Sequence, residues 1–294
     1  MIFYLAQQTI NALQLGSIYA LIALGYSMVY GVLVMINFAH GDLFMLGAFA
    51  CLLLAVLLPV HLPFVFILLL VMVVIGLLGA LIERVAYRPL RDAPRVSAII
   101  TALGCGLVIE NTTLSLSPYP QFLPTLFASK TLSYAGLTVT TLQILIIGVA
   151  LGLMVGLDLL IRKTGFGMAM RAISFDARTV PLMGIPVNRM ISLTFFVGAG
   201  LGGAAGMLYG LAYPQISATM GVLIGWKAFI AAVIGGIGSI RGAVLGGFIL
   251  GGVEVMAVAY LPSTYRDLIS YSLLLAILVF KPYGLLGQPP NQKV

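Results

Sequence analysis

Charge is nearly absent from this chain, and it is absent in long runs. Apolar stretches of membrane-spanning length recur from end to end, parted by short polar segments in which the arginines collect. A helix needs roughly 20 mostly apolar residues to cross the ~30 Å hydrocarbon core of a bilayer. The pattern therefore predicts repeated crossings, at 9–36, 41–58, 63–82, 97–116, 141–161, 190–212, 221–234, 243–260 and 268–281. The first is long and the seventh short, so one or two broken or re-entrant segments are expected. The chain is 61% hydrophobic and 8% charged, against roughly 45–50% and 25% in soluble domains. The expected fold is an all-α polytopic membrane protein with about eight to nine transmembrane or re-entrant helices. No loop is long enough to hold a soluble domain, so residues 1–294 read as one membrane domain.

The basic residues set an orientation. Segment 83–96 carries Arg84, Arg88, Arg91 and Arg95, and segment 162–189 carries Arg162, Lys163, Arg171, Arg178 and Arg189. Two spans separate these segments, so both fall on one side, and the positive-inside rule makes that side cytoplasmic. Arg241, Lys281 and Lys293 join them if every segment crosses. Lys130 and Arg266 fall outside, and Lys227 is left undecided. The net charge of +7 thus reads as topology rather than a nucleic-acid footprint. The start, "MIFYLAQQTI", has no basic region, so no cleavable signal peptide is expected. Cys51 and Cys105 lie in apolar runs without metal or redox spacing. The "NTT" sequon at 111–113 ends an apolar span and is discounted. Residues 117–140, with three prolines, form the longest outer loop and have room for short strands or a hairpin.

Glycines recur at helical spacing. Gly198, Gly202, Gly206 and Gly210 share one face, and Gly238, Gly242 and Gly246 repeat the pattern. In lipid such faces let helix backbones approach closely. Ordinary tight packing explains them; helices that slide and gate a pathway are the sharper reading.

Ionisable groups at mid-membrane cost at least ~2.5 kcal/mol, so each asks for a reason. Candidates for a pathway or gate are Asn37, His40, Asp42, Glu110, Asn111, Lys227 and Glu254. The alternative for each is a neighbouring partner or an interfacial position. His61, before Pro63, reads as a loop residue. Two polar breaks, "INFAHGD" at 36–42 and "GGIGSIRGA" at 235–243, interrupt the apolar runs. Either they are short cytoplasmic turns, or they lie at membrane depth, where irregular backbone survives only if protein buries it or it lines a cavity.

Catalytic constellations are missing. The sequence holds no HExxH and no GxSxG, and "GGIGSIRG" lacks the Lys-Ser/Thr of a phosphate loop. No catalytic residue, metal ligand or cofactor is assigned to this chain. If ATP drives it, ATP and Mg are bound on other chains.

Segment 162–189, "RKTGFGMAMRAISFDARTVPLMGIPVNR", is polar between two spans. Ala169, Ala172, Ile173 and Ala177 fall at near-helical spacing. Pro181 and Gly184 then break the helix, and Pro186 leads into the next span. The prediction is a compact cytoplasmic knob. It is either a solvated loop or a docking element for a soluble partner.

The run "RA…D…A…MGI" within this knob resembles the coupling segment of ABC-transporter permeases. "GYSMVYGVLVMINFAHGDLFMLGAF" (25–49), "ERVAYRPLR" (83–91), "GWKAFIAAVIGGIGSIRGAVLGG" (225–247) and "YSLLLAILVFKPYGLLG" (271–287) resemble the branched-chain amino acid family of these permeases, in its shorter LivH-type subunit. The stretches lie in order and span nearly the whole chain. Arg241 stands where such permeases would carry a neutral residue, often proline, and the loop 117–140 matches nothing distinctive.

The resemblance implies a multi-pass permease subunit in a bacterial inner membrane, importing branched-chain or related hydrophobic amino acids by alternating access. Its partners would be a second homologous permease, two cytoplasmic ATPase subunits and a periplasmic substrate-binding protein. The ATPase-coupling residues would be Arg171, Ala172, Asp176, Met183, Gly184 and Ile185. The competing hypothesis, motivated by Asp42, Glu110, Lys227 and Glu254, is an ion-coupled carrier that works without ATPase subunits.

Overall fold

Each of the nine apolar stretches folds as a helix. The computed structural model describes residues 2–57, 63–91, 93–126, 129–134, 136–177 and 179–287; His61, Arg178 and Lys293 lie outside these residues. The helices are α1 (Ile2–Leu33), α2 (His40–Leu57), α3 (Phe64–Ile82), α4 (Arg95–Leu116), α5 (Thr141–Lys163), α6 (Gly165–Asp176), α7 (Val187–Ala212), α8 (Met220–Gly235), α9 (Ile240–Tyr260) and α10 (Tyr265–Phe280). Among the described residues, seven are long and apolar enough to cross a membrane, and α8 is a shorter apolar helix. Local chemistry places the ends. Prolines 63, 94 and 186 precede α3, α4 and α7, where a missing N–H costs nothing. Thr140, Thr164 and Ser239 cap α5, α6 and α9 with side-chain oxygens.

α1 is the central helix. Every residue from Ile18 to Leu24 is wholly buried, as expected of a helix that is apolar all round. It packs on α9, α7, α8 and α5. α3, α4 and α5 lie outside and turn leucine and valine outward, among them Leu69, Leu77, Leu107 and Val155.

Close backbone approach holds the centre together. A methyl on Gly206 would overlap the Phe44 carbonyl, and one on Gly198 would lie 3.3 Å from the Gly25 carbonyl oxygen. A methyl on Gly202 would lie 3.1 Å from His40 Cε1, and one on Gly210 would meet Ile216 at 3.4 Å. The α7 glycine face is therefore the seat of α1, α2 and the start of the next loop. Gly242 and Gly246 do the same between α8 and α9. Gly238 departs from the predicted helix face. It sits in the turn before α9 at φ 91°, because the chain reverses there against Tyr30 and Gly31.

The two ends of the bundle differ. At one end β2 (Thr131–Tyr134) and β3 (Leu137–Thr140) form a hairpin, and β1 (Gln121–Phe122) pairs with β4 (Gln215–Ile216). The side chain of Gln7 bonds both the N–H and the carbonyl of Thr138, which puts the start of α1 at this end. At the other end Arg91 donates to Asn188, so segments 83–96 and 162–189 share a side, as their charge predicts. Ser174, Tyr30, Gly238 and Tyr283 line one cavity there. The break at 235–243 is thus a turn at the arginine-rich end. The carboxy-terminal segment covers it, with Leu285 and Leu286 N–H donating to the Ile234 and Gly235 carbonyls.

Candidate functional site

The break between α1 and α2 behaves differently. α1 ends at Leu33, and Val34 follows at φ 53°, an uncommon and strained angle for a β-branched residue. The chain then climbs back inward, and α2 begins at His40, already inside the bundle. Asp42 lies against Gly106, at the middle of α4: a methyl on that glycine would sit 2.5 Å from Asp42 Oδ2. Asn37, His40 and Asp42 are all buried, at 3%, 1% and 5% exposure. This end of segment 36–42 is therefore at membrane depth.

α8 answers α2 from the opposite direction. With 16 residues it is about 24 Å long, short of a full crossing. Its first turns meet those of α2: a methyl on Gly225 would lie 2.8 Å from Gly41 Cα, and one on Gly221 3.0 Å from Asp42 Oδ1. Two helix N-termini thus converge mid-bundle, each carrying partial positive charge. Asp42, in the first turn of α2, is the acidic group on that convergence. His40 Nε2 and Asp42 Oδ1 have no hydrogen-bond partner among the described residues. Glu110 faces the same cavity as Asp42. Asn111, next to it, is exposed and bonds back to the Leu107 carbonyl at 2.8 Å.

Lys227 and Glu254 form a separate cluster, and they pair with each other at 3.1 Å. Glu254 is fully buried. It accepts from Tyr19 Oη at 2.8 Å, Ser270 Oγ at 2.9 Å and Arg266 Nε at 2.7 Å. Lys227 also reaches Asp267 at 2.7 Å. Two acids and two bases thus tie α1, α8, α9 and α10 together with no net charge. The sequence singles out Lys227 and Glu254 and places Arg266 outside, but it does not link Arg266 or Asp267 to them. The available signal was an Arg-Asp pair opening a span beside two others that carry single opposite charges.

A second latch lies at the arginine-rich end. α3 continues as a π-helical turn, Glu83–Tyr87, and a 3-10 turn, Arg88–Leu90. Glu83 is fully buried. It pairs with Arg91 and accepts from Ser192 Oγ at 2.5 Å. Arg91 also donates to Asn188, and Tyr87 Oη donates to Asn37 Oδ1 at 2.8 Å. The end of α3 therefore holds both the first turns of α7 and the α1–α2 break. Glu83 and Tyr87 were present in "ERVAYRPLR" but were not assigned a role from sequence.

The predicted knob has its helix-then-break form. α6 is followed by a 3-10 turn, Val180–Met183, and by Gly184 at φ 79°. Arg171 donates to the Ile161 carbonyl and so pins α6 to the end of α5. Asp176 accepts from Thr179 at the helix end. Ala172 packs partly against the core, as does Ile185. Four apolar side chains point outward instead: Met168, Phe175, Leu182 and Met183, the last two at 87% and 75% exposure. A groove of about 1230 Å³ runs beside them, lined by Arg84, Arg88, Arg189, Pro181 and Ile185 among others.

Comparison with known proteins decides the family. The family model described as branched-chain amino acid transport system / permease component matches residues 8–278. The chain belongs to this family. The permease is 40% identical to the high-affinity branched-chain amino acid transport system permease protein BraD of Pseudomonas aeruginosa, over 100% of this chain and 99% of that one. It is likewise 40% identical to LivH of Escherichia coli K12, over 99% and 98%. The probable branched-chain amino acid transport permease LivH of Methanocaldococcus jannaschii is 29% identical, over 94% and 91%. The chain is thus a multi-pass membrane permease, a transport subunit of a multi-subunit ABC transport system. That membership sets aside the self-sufficient carrier.

Proposed function

We propose that this permease imports branched-chain or related hydrophobic amino acids across a bacterial inner membrane by alternating access. It works beside a second permease subunit, receives substrate from a periplasmic binding protein, and is driven by two cytoplasmic ATPases that bind ATP and Mg. The observation that carries the coupling is the exposed apolar knob. Phe175, Leu182 and Met183 face solvent at the end where the arginines collect, and such a patch suits a protein partner. Arg84, Arg88 and Arg189 beside it suit acidic groups on that partner. A push on the knob passes through Pro186 into α7. From there Glu83 and Tyr87 carry it to Asn37, and so to the start of α2 at mid-membrane.

The test is reconstitution. Liposomes holding both permeases and the ATPases, with binding protein outside and ATP inside, are expected to accumulate leucine; this chain alone under an ion gradient is not. Leu182→Asp with Met183→Asp is expected to release the ATPases on size-exclusion chromatography while the permease stays folded. Full ATPase retention and full uptake in that variant would show that the knob is not the dock.

A further inference from the structure

Between α2, α4 and α8 lies a cavity of about 270 Å³, close to the lower end of the roughly 300–1,000 Å³ of small-molecule sites. Two carboxylates, Asp42 and Glu110, stand on its wall, with three aromatic rings, Tyr26, Phe38 and Trp226. Among the described residues no lysine or arginine lines it. Phe38 and Trp226 stand 5.5 Å apart, centroid to centroid. Asp42 is 5% exposed and its Oδ1 lacks a partner. A role as counter-charge to the helix N-termini accounts for Asp42 alone. It does not account for a second carboxylate on a different helix, nor for the aromatic wall. Two carboxylates on one cavity at mid-membrane repel each other when both are ionised; a proton on one of them or a cation between them relieves this, and a cation between them also uses the aromatic wall.

Resting on the transport reading above, we propose that this cavity is a subsite for the primary ammonium group of the transported amino acid. Asp42 and Glu110 accept its hydrogens, and the faces of Trp226 and Phe38 attract its charge. Leu103, Leu107 and Val222 take the aliphatic tail. The binding protein selects the ligand outside; this subsite holds the ammonium group halfway through the membrane, where water is scarce.

Trp226 is the chain's one tryptophan, so the subsite carries its own reporter. The complete transporter, in nanodiscs and without binding protein, is titrated with leucine, isoamylamine and 4-methylpentanoate. Tryptophan fluorescence is read after subtracting the same assembly carrying Trp226→Phe. Leucine and isoamylamine are expected to change the signal, and 4-methylpentanoate, which has no ammonium group, is not. Asp42→Asn and Glu110→Gln are each expected to weaken the leucine response at least about tenfold. Should Asp42→Asn fail to assemble, Glu110→Gln on the peripheral α4 carries the test.

The absence of any response overturns the subsite, as does an equal response to 4-methylpentanoate or insensitivity to both substitutions. If the same wild-type assembly, moved to liposomes with binding protein outside and ATP inside, still imports leucine in those cases, the transport reading stands. If it imports none, the transport reading fails and the subsite falls with it.

Discussion

Glu254 shows how a charge survives at the centre of this bundle. It is wholly buried, yet Tyr19, Ser270, Lys227 and Arg266 surround it. Removing one partner of a buried pair costs ~3–5 kcal/mol, because the other charge is left without compensation. Glu254→Gln leaves two cations facing Asp267 alone, so it is expected to lower the unfolding temperature in detergent sharply. Glu254→Gln combined with Lys227→Met restores neutrality. The double variant is expected to be more stable than the Glu254 single variant, as measured by thermal unfolding. Strictly additive losses would show that the two residues do not act as a pair. Sequence alone exposed these two charges because lipid makes any charge conspicuous. It did not reveal their partner Arg266, which sits at a span end where charge is ordinary. Asp42 was equally conspicuous, but its depth was not legible. That depth follows from contacts with Gly106 and Gly221, more than 60 and 170 residues away in the chain.

At the scale of elements, the spans were legible because the bilayer demands a fixed apolar length, and all four glycine positions of α7 mark real helix contacts, Gly210 against Ala48 of α2. The two polar breaks read alike in sequence and turned out to differ. Segment 235–243 turns at the arginine-rich end, where Leu285 and Leu286 donate to the Ile234 and Gly235 carbonyls at its start. Segment 36–42 climbs inward instead, because His40 and Gly41 find room between glycines of α1, α7 and α8. The element that connects break and knob is the irregular end of α3. Tyr87→Phe removes the hydrogen bond to Asn37 and leaves a buried acceptor unpaired, a loss of ~1–3 kcal/mol. The expected outcome is a folded assembly whose ATPase still turns over while leucine uptake per ATP falls. Glu83→Gln is expected to act in the same direction through Ser192 and Arg91. Unchanged uptake per ATP in both variants would show that the α3 end only supports the fold.

For the whole molecule, the proposed assembly depends on which end faces the cytoplasm, since in it ATPases and a binding protein approach from opposite sides. Twelve of the fifteen basic residues fall at one end if every helix crosses, and contacts such as Arg91 with Asn188 confirm that the two arginine-rich segments share that end. The β2–β3 hairpin, held to the start of α1 through Gln7, marks the opposite end. A pair of reporter cysteines tests this directly. Ser133 lies exposed in the hairpin and Ser174 lies exposed on α6. In a chain whose own Cys51 and Cys105 are replaced by alanine, Ser133→Cys is expected to react with a membrane-impermeant maleimide in intact spheroplasts. Ser174→Cys is expected to react only after the membrane is opened. The opposite pattern would invert the molecule and remove the knob from reach of any cytoplasmic ATPase, whatever its side chains. Agreement would place the hairpin outside and the knob inside, the orientation that the proposed import from the hairpin end towards the arginine-rich end requires.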